Sequence, residues 1–259
     1  MNRIRRLLIP IAAGCLFLLF ILPLFALTLR SLQTRAWEAS SGSGVPEALI
    51  LSLLTTSTSA LLVLLTGTPL AYLLARHHFR FKQLVTVLVE LPIVLPPAVA
   101  GLGLLIAFGR RGLFGPALEN VGISLPFTTA AVIIAQIFVA APFYVRAAQV
   151  GFQQLDMDIE DAARVDGAGG WTLFRLITLP LARRSLAAGL AVSWTRALGE
   201  FGATILFAGS LQGRTQTMPL LVYNVLERNI NAAIWTGLLL VAMASLALFL
   251  ARHLGKSEK

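Results

Sequence analysis

Six long apolar runs, at about residues 7–29, 48–75, 84–108, 126–150, 186–207 and 232–250, constrain this chain more than any other feature. The hydrocarbon core of a bilayer is about 30 Å thick and is crossed by roughly 20 apolar residues in a helix. Inside hydrocarbon every backbone N–H and C=O must find its partner within the protein, which leaves helices as the form for isolated runs of this length. The chain is 57% hydrophobic and 13% charged, against about 25% charged in a soluble domain, and its mean hydropathy is +0.80. A soluble globular domain is excluded. The expectation is an all-α polytopic membrane protein with six transmembrane helices.

Orientation follows from Lys and Arg in the short connections. One set carries Arg3, Arg5, Arg6, Arg76, Arg80, Lys82, Arg164, Arg175, Arg183, Arg184, Arg252, Lys256 and Lys259. The opposite set carries only Arg30, Arg35, Arg110, Arg111, Arg214 and Arg228. The first set is therefore expected on the cytoplasmic side, together with both termini. The same bias accounts for the net charge of +9; with no basic stripe interleaved by aromatic residues, nucleic acid is not an expected partner. The first apolar run is too long for a secretory h-region and no A-x-A site follows it, so it is expected as a retained helix. Cys15, the only cysteine, lies in that run and is expected as a buried apolar residue, neither bridged nor bound to metal.

Between the fourth and fifth runs, residues 152–183 break the apolar pattern. Asp156, Asp158, Glu160 and Asp161 cluster where a helix would start, and carboxylates there favour the positive end of the helix dipole. Gly167 and the pair Gly169-Gly170 follow and free the backbone to turn. Two helices around a glycine corner would form a knob that a partner can grip; the plainer alternative is an ordinary inter-helix loop.

No site for energy-yielding chemistry is visible. Gly255-Lys256-Ser257 has the tail of a phosphate loop, but Leu250 stands where its first glycine belongs. Gly101-x-Gly103 lacks a third glycine and suits close helix packing. His77, His78 and His253 have no ligand spacing, so neither a metal site nor a catalytic constellation is expected.

Within the runs, three positions carry unusual chemistry. Pro92, Pro96 and Pro97 fall within six residues and each removes a backbone donor, so the third run must bend or unwind. Unwound backbone at that depth belongs inside the protein or beside a water-filled cavity; a static packing kink is the alternative. Arg196 and Glu200 lie four apart in the fifth run, where each buried charge costs about 2.5–3.5 kcal/mol, so they serve either as a mutual pair or as the lining of an anion path. Arg146 follows Pro142 by four residues and lies near an end of the fourth run, where snorkelling is the simpler account.

Four stretches carry a resemblance to a known family. Asp161, Ala162, Ala163, then Gly167, and after nine residues Ile177, Leu179 and Pro180 match the spacing E-A-A-x3-G-x9-I-x-L-P of the EAA loop of ABC importer permeases, with Asp161 in place of the usual Glu. ALGEFGAT at 197–204, GRTQTMPLLVY at 213–223 and LPIVLPPAVAGLGLL at 91–105 are similar to segments of the ModB-like molybdate permease family, the first two being shared in variant form with sulfate and tungstate permeases.

The resemblance implies a type I importer permease fold, MetI-like, in a bacterial cytoplasmic membrane. It implies an N-terminal peripheral helix and outer loop at 1–46, a permease domain at 47–252 that includes the coupling loop 152–183, and a cytoplasmic tail at 253–259. Glu160, Asp161, Ala162, Ala163, Gly167, Ala168, Ile177, Leu179 and Pro180 would dock the ATPase, and Pro92, Pro96, Pro97, Arg196 and Glu200 would line or gate the path. The chain itself would hold no cofactor, ATP and Mg²⁺ being used by the partner. Expected partners are a second copy of the chain, two cytoplasmic ATPase subunits, a periplasmic or extracellular oxyanion-binding protein and membrane lipid. Molybdate, tungstate and sulfate are all open as cargo. A secondary anion transporter that needs no ATPase is the alternative of a different class.

Overall fold

The computed structural model describes residues 2–40 and 44–254; the middle of the Ala39–Gly44 linker and the end of the C-terminal tail lie outside the described residues. Among the described residues all regular structure is helical: α1 (Asn2–Thr34), α2 (Val45–Arg76), α3 (Lys82–Val94), α4 (Pro97–Phe108), α5 (Gly115–Asn120), α6 (Thr129–Gln153), α7 (Met157–Val165), α8 (Gly170–Leu173), α9 (Leu179–Leu198), α10 (Gly202–Phe207), α11 (Met218–Leu226) and α12 (Ile230–Leu254). A 3₁₀ turn at Ala36–Ser40 follows α1, and a π turn at Phe174–Thr178 joins α8 to α9.

The core is built on α2, α6 and α9, which approach closely because small residues sit where they touch. A Cβ placed on Gly67 would lie 2.9 Å from the Tyr144 ring, and one on Gly189 would lie 2.7 Å from Ala147 Cβ. Polar side chains add directional contacts between the same helices. Ser59 donates to Gln136 Oε1 at 2.9 Å, Gln136 Nε2 donates to Thr56 Oγ1 at 3.3 Å, and Ser193 donates to the Ala140 carbonyl at 2.9 Å. Each such bond is worth about 0.6 kcal/mol on average in a membrane protein. They fix helix register more than they add stability.

α1 stands apart from this core. It touches α12 and the 3₁₀ turn, where Trp37 meets Trp235 edge to face at 6.3 Å, while Leu16, Phe17, Leu18, Leu19 and Phe20 are exposed around its whole circumference. A helix apolar all round is built for lipid. Cys15, expected to be buried, is exposed on it, because α1 has no neighbour at that level to cover it.

Two of the six expected spans are interrupted. The third is broken into α3 and α4, which diverge by 117°. Leu95 N–H still reaches the Leu91 carbonyl at 3.2 Å, but Pro96 and Pro97 have no N–H to continue the ladder, and Leu95 before them is driven to an extended ψ of 133°. Pro92 stays inside α3 and breaks nothing. The fifth span starts earlier than expected, running from Gly170 through α8, the π turn and α9 to Leu198; α10 is a separate helix after the break. The short helices α5 and α11 lie outside the six expected runs. α11 begins where Ser52 of α2 accepts the Met218 N–H at 2.7 Å, with Pro219 in its first turn.

The two breaks pack on each other. A Cβ on Gly202 would lie 2.6 Å from Pro97 Cβ, and one on Gly101 would lie 2.8 Å from the Ala203 carbonyl oxygen. Gly202→Val is therefore expected to cost about 1–3 kcal/mol of packing and to lower the midpoint of thermal unfolding in detergent. Gly103→Val, at a site with nothing within 4 Å, serves as the control; equal losses would contradict the contact.

Candidate functional site: the coupling segment and the paired helix breaks

Local sequence builds the polar knob as expected at its start. Asp156 caps α7, accepting the Asp158 N–H at 3.0 Å. The helix ends in a left-handed glycine: Gly167 has φ +91°, its N–H reaches the Arg164 carbonyl, and Ala168 N–H reaches the Ala163 carbonyl at 2.9 Å. Gly170 does not extend the corner but opens α8. Ile177 lies in the π turn, Leu179 and Pro180 in the first turn of α9. Pro180 has no N–H to give the Leu176 carbonyl and its ring crowds that oxygen, so the widened turn just before it accommodates the ring.

The two neighbouring acids divide the work differently from the motif alignment, which set Asp161 in the place of the usual Glu. Asp161 and its partner Arg164, at 2.6 Å, are both substantially exposed. The carboxylate of Glu160, one residue earlier, is 1% exposed and held from three directions. Arg76, at the end of α2, reaches its Oε1 at 3.0 Å; Thr178, at the root of α9, donates to the same oxygen at 3.0 Å; Arg164 lies 3.9 Å from Oε2. Arg76 also donates to the Leu155 carbonyl at 3.3 Å and to Met157 Sδ. One buried carboxylate thus ties α7 to α2 and α9. Arg76 is legible along the chain only as a topological charge and Thr178 not at all, because pairing across 84 and 18 residues has no local signature.

Aromatic rings support the knob from below. Tyr72 meets Phe152 at 5.5 Å and Phe174 at 5.0 Å, both edge to face, and Trp171 stacks on Phe174 at 5.9 Å. Outward, Ile159, Val165 and Trp171 stay exposed, Val165 to 88%. Ala162 is exposed beside them, and Ala163 and Ala168 are half-buried. Exposed apolar residues among carboxylates suit contact with another protein.

Nothing crowds Gly167, so a side chain there would be disfavoured by its φ alone. Gly167→Val is expected to insert at normal abundance and to lose most uptake, read as transport against protein level in whole cells. Normal uptake would dissociate the corner from coupling.

The second constellation lies where α9 ends. Arg196 is in the last turn of α9, and Glu200 lies past its end, so the two do not share a helix face as their spacing suggested. They nonetheless pair, Nη1 to Oε2 at 2.9 Å, because the chain turns at Gly199 and Glu200 folds back. The other oxygen of Glu200 accepts the Ala203 N–H at 2.8 Å and so starts α10. Glu200 is 1% exposed and Arg196 31%. Since Gly202 abuts Pro97, this pair sits beside the α3–α4 break; Pro96 and Pro97 belong to the constellation, and Pro92, a turn earlier, does not form the break. Arg146, for which snorkelling was the expectation, pairs with Glu90 of α3, a contact that needs the third and fourth spans side by side.

Long apolar helices carrying a partly buried ion pair and an anchored polar knob define a multi-pass membrane protein. Residues 67–257 match the model of the binding-protein-dependent transport system inner membrane component, and the chain belongs to this family. It is 41% identical over 238 residues to the molybdenum transport system permease protein ModB of Mycobacterium tuberculosis, covering 92% of this chain and 89% of the relative. It is 37% identical over 200 residues to the sulfate transport system permease protein CysW of Synechococcus elongatus, covering 77% and 70%. A crystal structure of a bacterial ABC transporter involved in the import of alginate shares its fold, with a TM-score of 0.80 over 99% of this chain and 96% of that chain at 17% identity. The chain is accordingly a permease subunit of an ABC transporter, and the all-α, type I importer fold expected from the resemblance is the one found.

Proposed function

We propose that this chain is the membrane pathway of a molybdate importer, working as two copies with two ATPase subunits and an extracytoplasmic oxyanion-binding protein. The observation that carries the reading is the similarity to a molybdenum permease across nine-tenths of both chains, higher and broader than the similarity to the sulfate permease. The anchored knob supports the division of labour. α7 with its exposed Val165, together with Trp171 of α8, enters a groove of the ATPase, which binds ATP and Mg²⁺ and does the hydrolysis. When the two ATPases close, α7 is drawn along, and Glu160 transmits the pull to α2 through Arg76 and to α9 through Thr178. α9 in turn carries Arg196 and the Glu200 break. A tetrahedral dianion passing this region meets a guanidinium that keeps part of its surface uncovered, which offsets lost hydration.

Reconstitution with the cognate ATPase and binding protein tests this. ATP-dependent uptake of labelled molybdate is expected, resisting a molar excess of sulfate and yielding to tungstate more readily. Equal competition by sulfate would move the assignment to the sulfate permeases; uptake without the ATPase would move it to secondary transport.

Orientation has its own test. With both termini cytoplasmic, Gln212 is outside and Gln154 inside, and both are exposed in the fold. In a Cys15→Ser background, Gln212→Cys is expected to react with an impermeant thiol reagent added to intact cells and Gln154→Cys only after lysis. The reverse pattern would invert the topology.

A further inference from the structure

A basic hollow of about 790 Å³ opens at the start of α3, lined by His78, Phe79, Arg80, Lys82, Gln83 and Thr86, with Val87 at its lower edge. Among the described residues neither Arg80 nor Lys82 forms an ion pair with a carboxylate, and Arg80 lies instead over the Phe81 ring at 5.8 Å. Glu90, two turns along, is already taken by Arg146. The cations at this end of the helix are therefore not neutralised by the chain itself.

Below the hollow the helix presents two different sides. Val85 and Val89 pack against the α2–α6–α9 core. Val87, Leu91 and Val94, spaced at i, i+4 and i+7, lie on another side and are 53%, 43% and 79% exposed. From Lys82 to Val94 is about 18 Å at 1.5 Å per residue, close to the depth of one leaflet of a ~30 Å core. The layout is an anion receptor with an apolar track one leaflet deep beneath it.

We propose that this end of α3 binds an anionic phospholipid, its phosphate held by His78, Arg80 and Lys82 and an acyl chain lying along Val87, Leu91 and Val94. Charge complementarity and the continuous apolar track favour a lipid over a free oxyanion, which has no use for the track. A symmetric contact with a second copy through the same face would bring like cations together with no carboxylate to offset them. The site is independent of which ion the permease carries.

The test is native mass spectrometry of the full chain, with any subunits that copurify, in detergent doped with phosphatidylglycerol or phosphatidylcholine. Phosphatidylglycerol is expected to be retained in preference. Arg80→Gln with Lys82→Gln should weaken its binding about thirtyfold, at the usual worth of two interfacial cations, whereas Arg80→Lys with Lys82→Arg should retain it. A second reading guards against a folding defect: in Val87→Trp, brominated phosphatidylglycerol should quench the added fluorescence more than brominated phosphatidylcholine. Equal retention of both lipids, displacement of phosphatidylglycerol by millimolar molybdate, or an added indole emission in Val87→Trp that a second copy shields from both brominated lipids would each overturn the proposal.

Discussion

Glu160→Ala is expected to reduce uptake to background and to lower the stability of the membrane domain, while its neighbour Asp161→Ala leaves stability nearly unchanged. The two carboxylates are adjacent in sequence and differ in surroundings. Removing Glu160 leaves Arg76, whose side chain is 10% exposed and whose Nε already has no partner, as an uncompensated buried charge. Stranding one member of a buried pair costs about 3–5 kcal/mol. The pair that Asp161 makes with Arg164 lies at the surface, where such pairs are worth about 0–1 kcal/mol. Glu160→Gln combined with Arg76→Met removes both charges yet keeps an oxygen for the Thr178 hydroxyl, and is expected to recover most of the stability. Thermal unfolding in detergent and abundance-corrected uptake read the series. If Glu160→Ala and Asp161→Ala are equally mild, the buried carboxylate is not the anchor of α7.

The second large effect is expected at the α9–α10 break. Arg196→Met leaves Glu200 buried with only the Ala203 N–H to offset its charge, again a cost on the order of 3–5 kcal/mol. Glu200→Ala strands Arg196 less severely, since that side chain is partly exposed, but it also removes the acceptor of the Ala203 N–H at the start of α10, a hydrogen bond worth about 1 kcal/mol. Glu200→Gln keeps that acceptor. The informative variant is therefore Arg196→Met with Glu200→Gln, in which no charge is stranded and α10 still begins at its proper place. It is expected to insert and assemble with its partners and yet to transport near background, because the partly uncovered guanidinium is the attraction a passing dianion needs. Uptake close to the parental rate in this variant would assign both residues to structure alone.

These two constellations also mark the boundary of what the residues disclose unaided. The apolar runs forced a bundle of membrane helices, since backbone in hydrocarbon has no other way to satisfy its hydrogen bonds. Where the sequence names a backbone constraint, the local structure followed: Asp156 capped a helix, Gly167 took the left-handed corner, and Pro96-Pro97 broke a span. Pro92 shows the limit of that reasoning, because a proline removes one donor wherever it stands, but whether the helix bends there depends on what packs beside it.

Partnerships between distant residues were decided by the tertiary structure alone. A motif spacing pointed to Asp161; burial and two converging donors, with the Arg164 guanidinium nearby, single out Glu160, because α2 ends beside α7 and α9 begins beneath it. An i, i+4 spacing put Arg196 and Glu200 on one helix, and they pair across the end of one instead. The charge of Arg146 was legible, its partner Glu90 was not. Hydrophobic length and backbone dihedral limits act over a few neighbouring residues and can be read along the chain. Burial and charge pairing depend on which helices come to lie side by side, and that is set only when the whole bundle has packed.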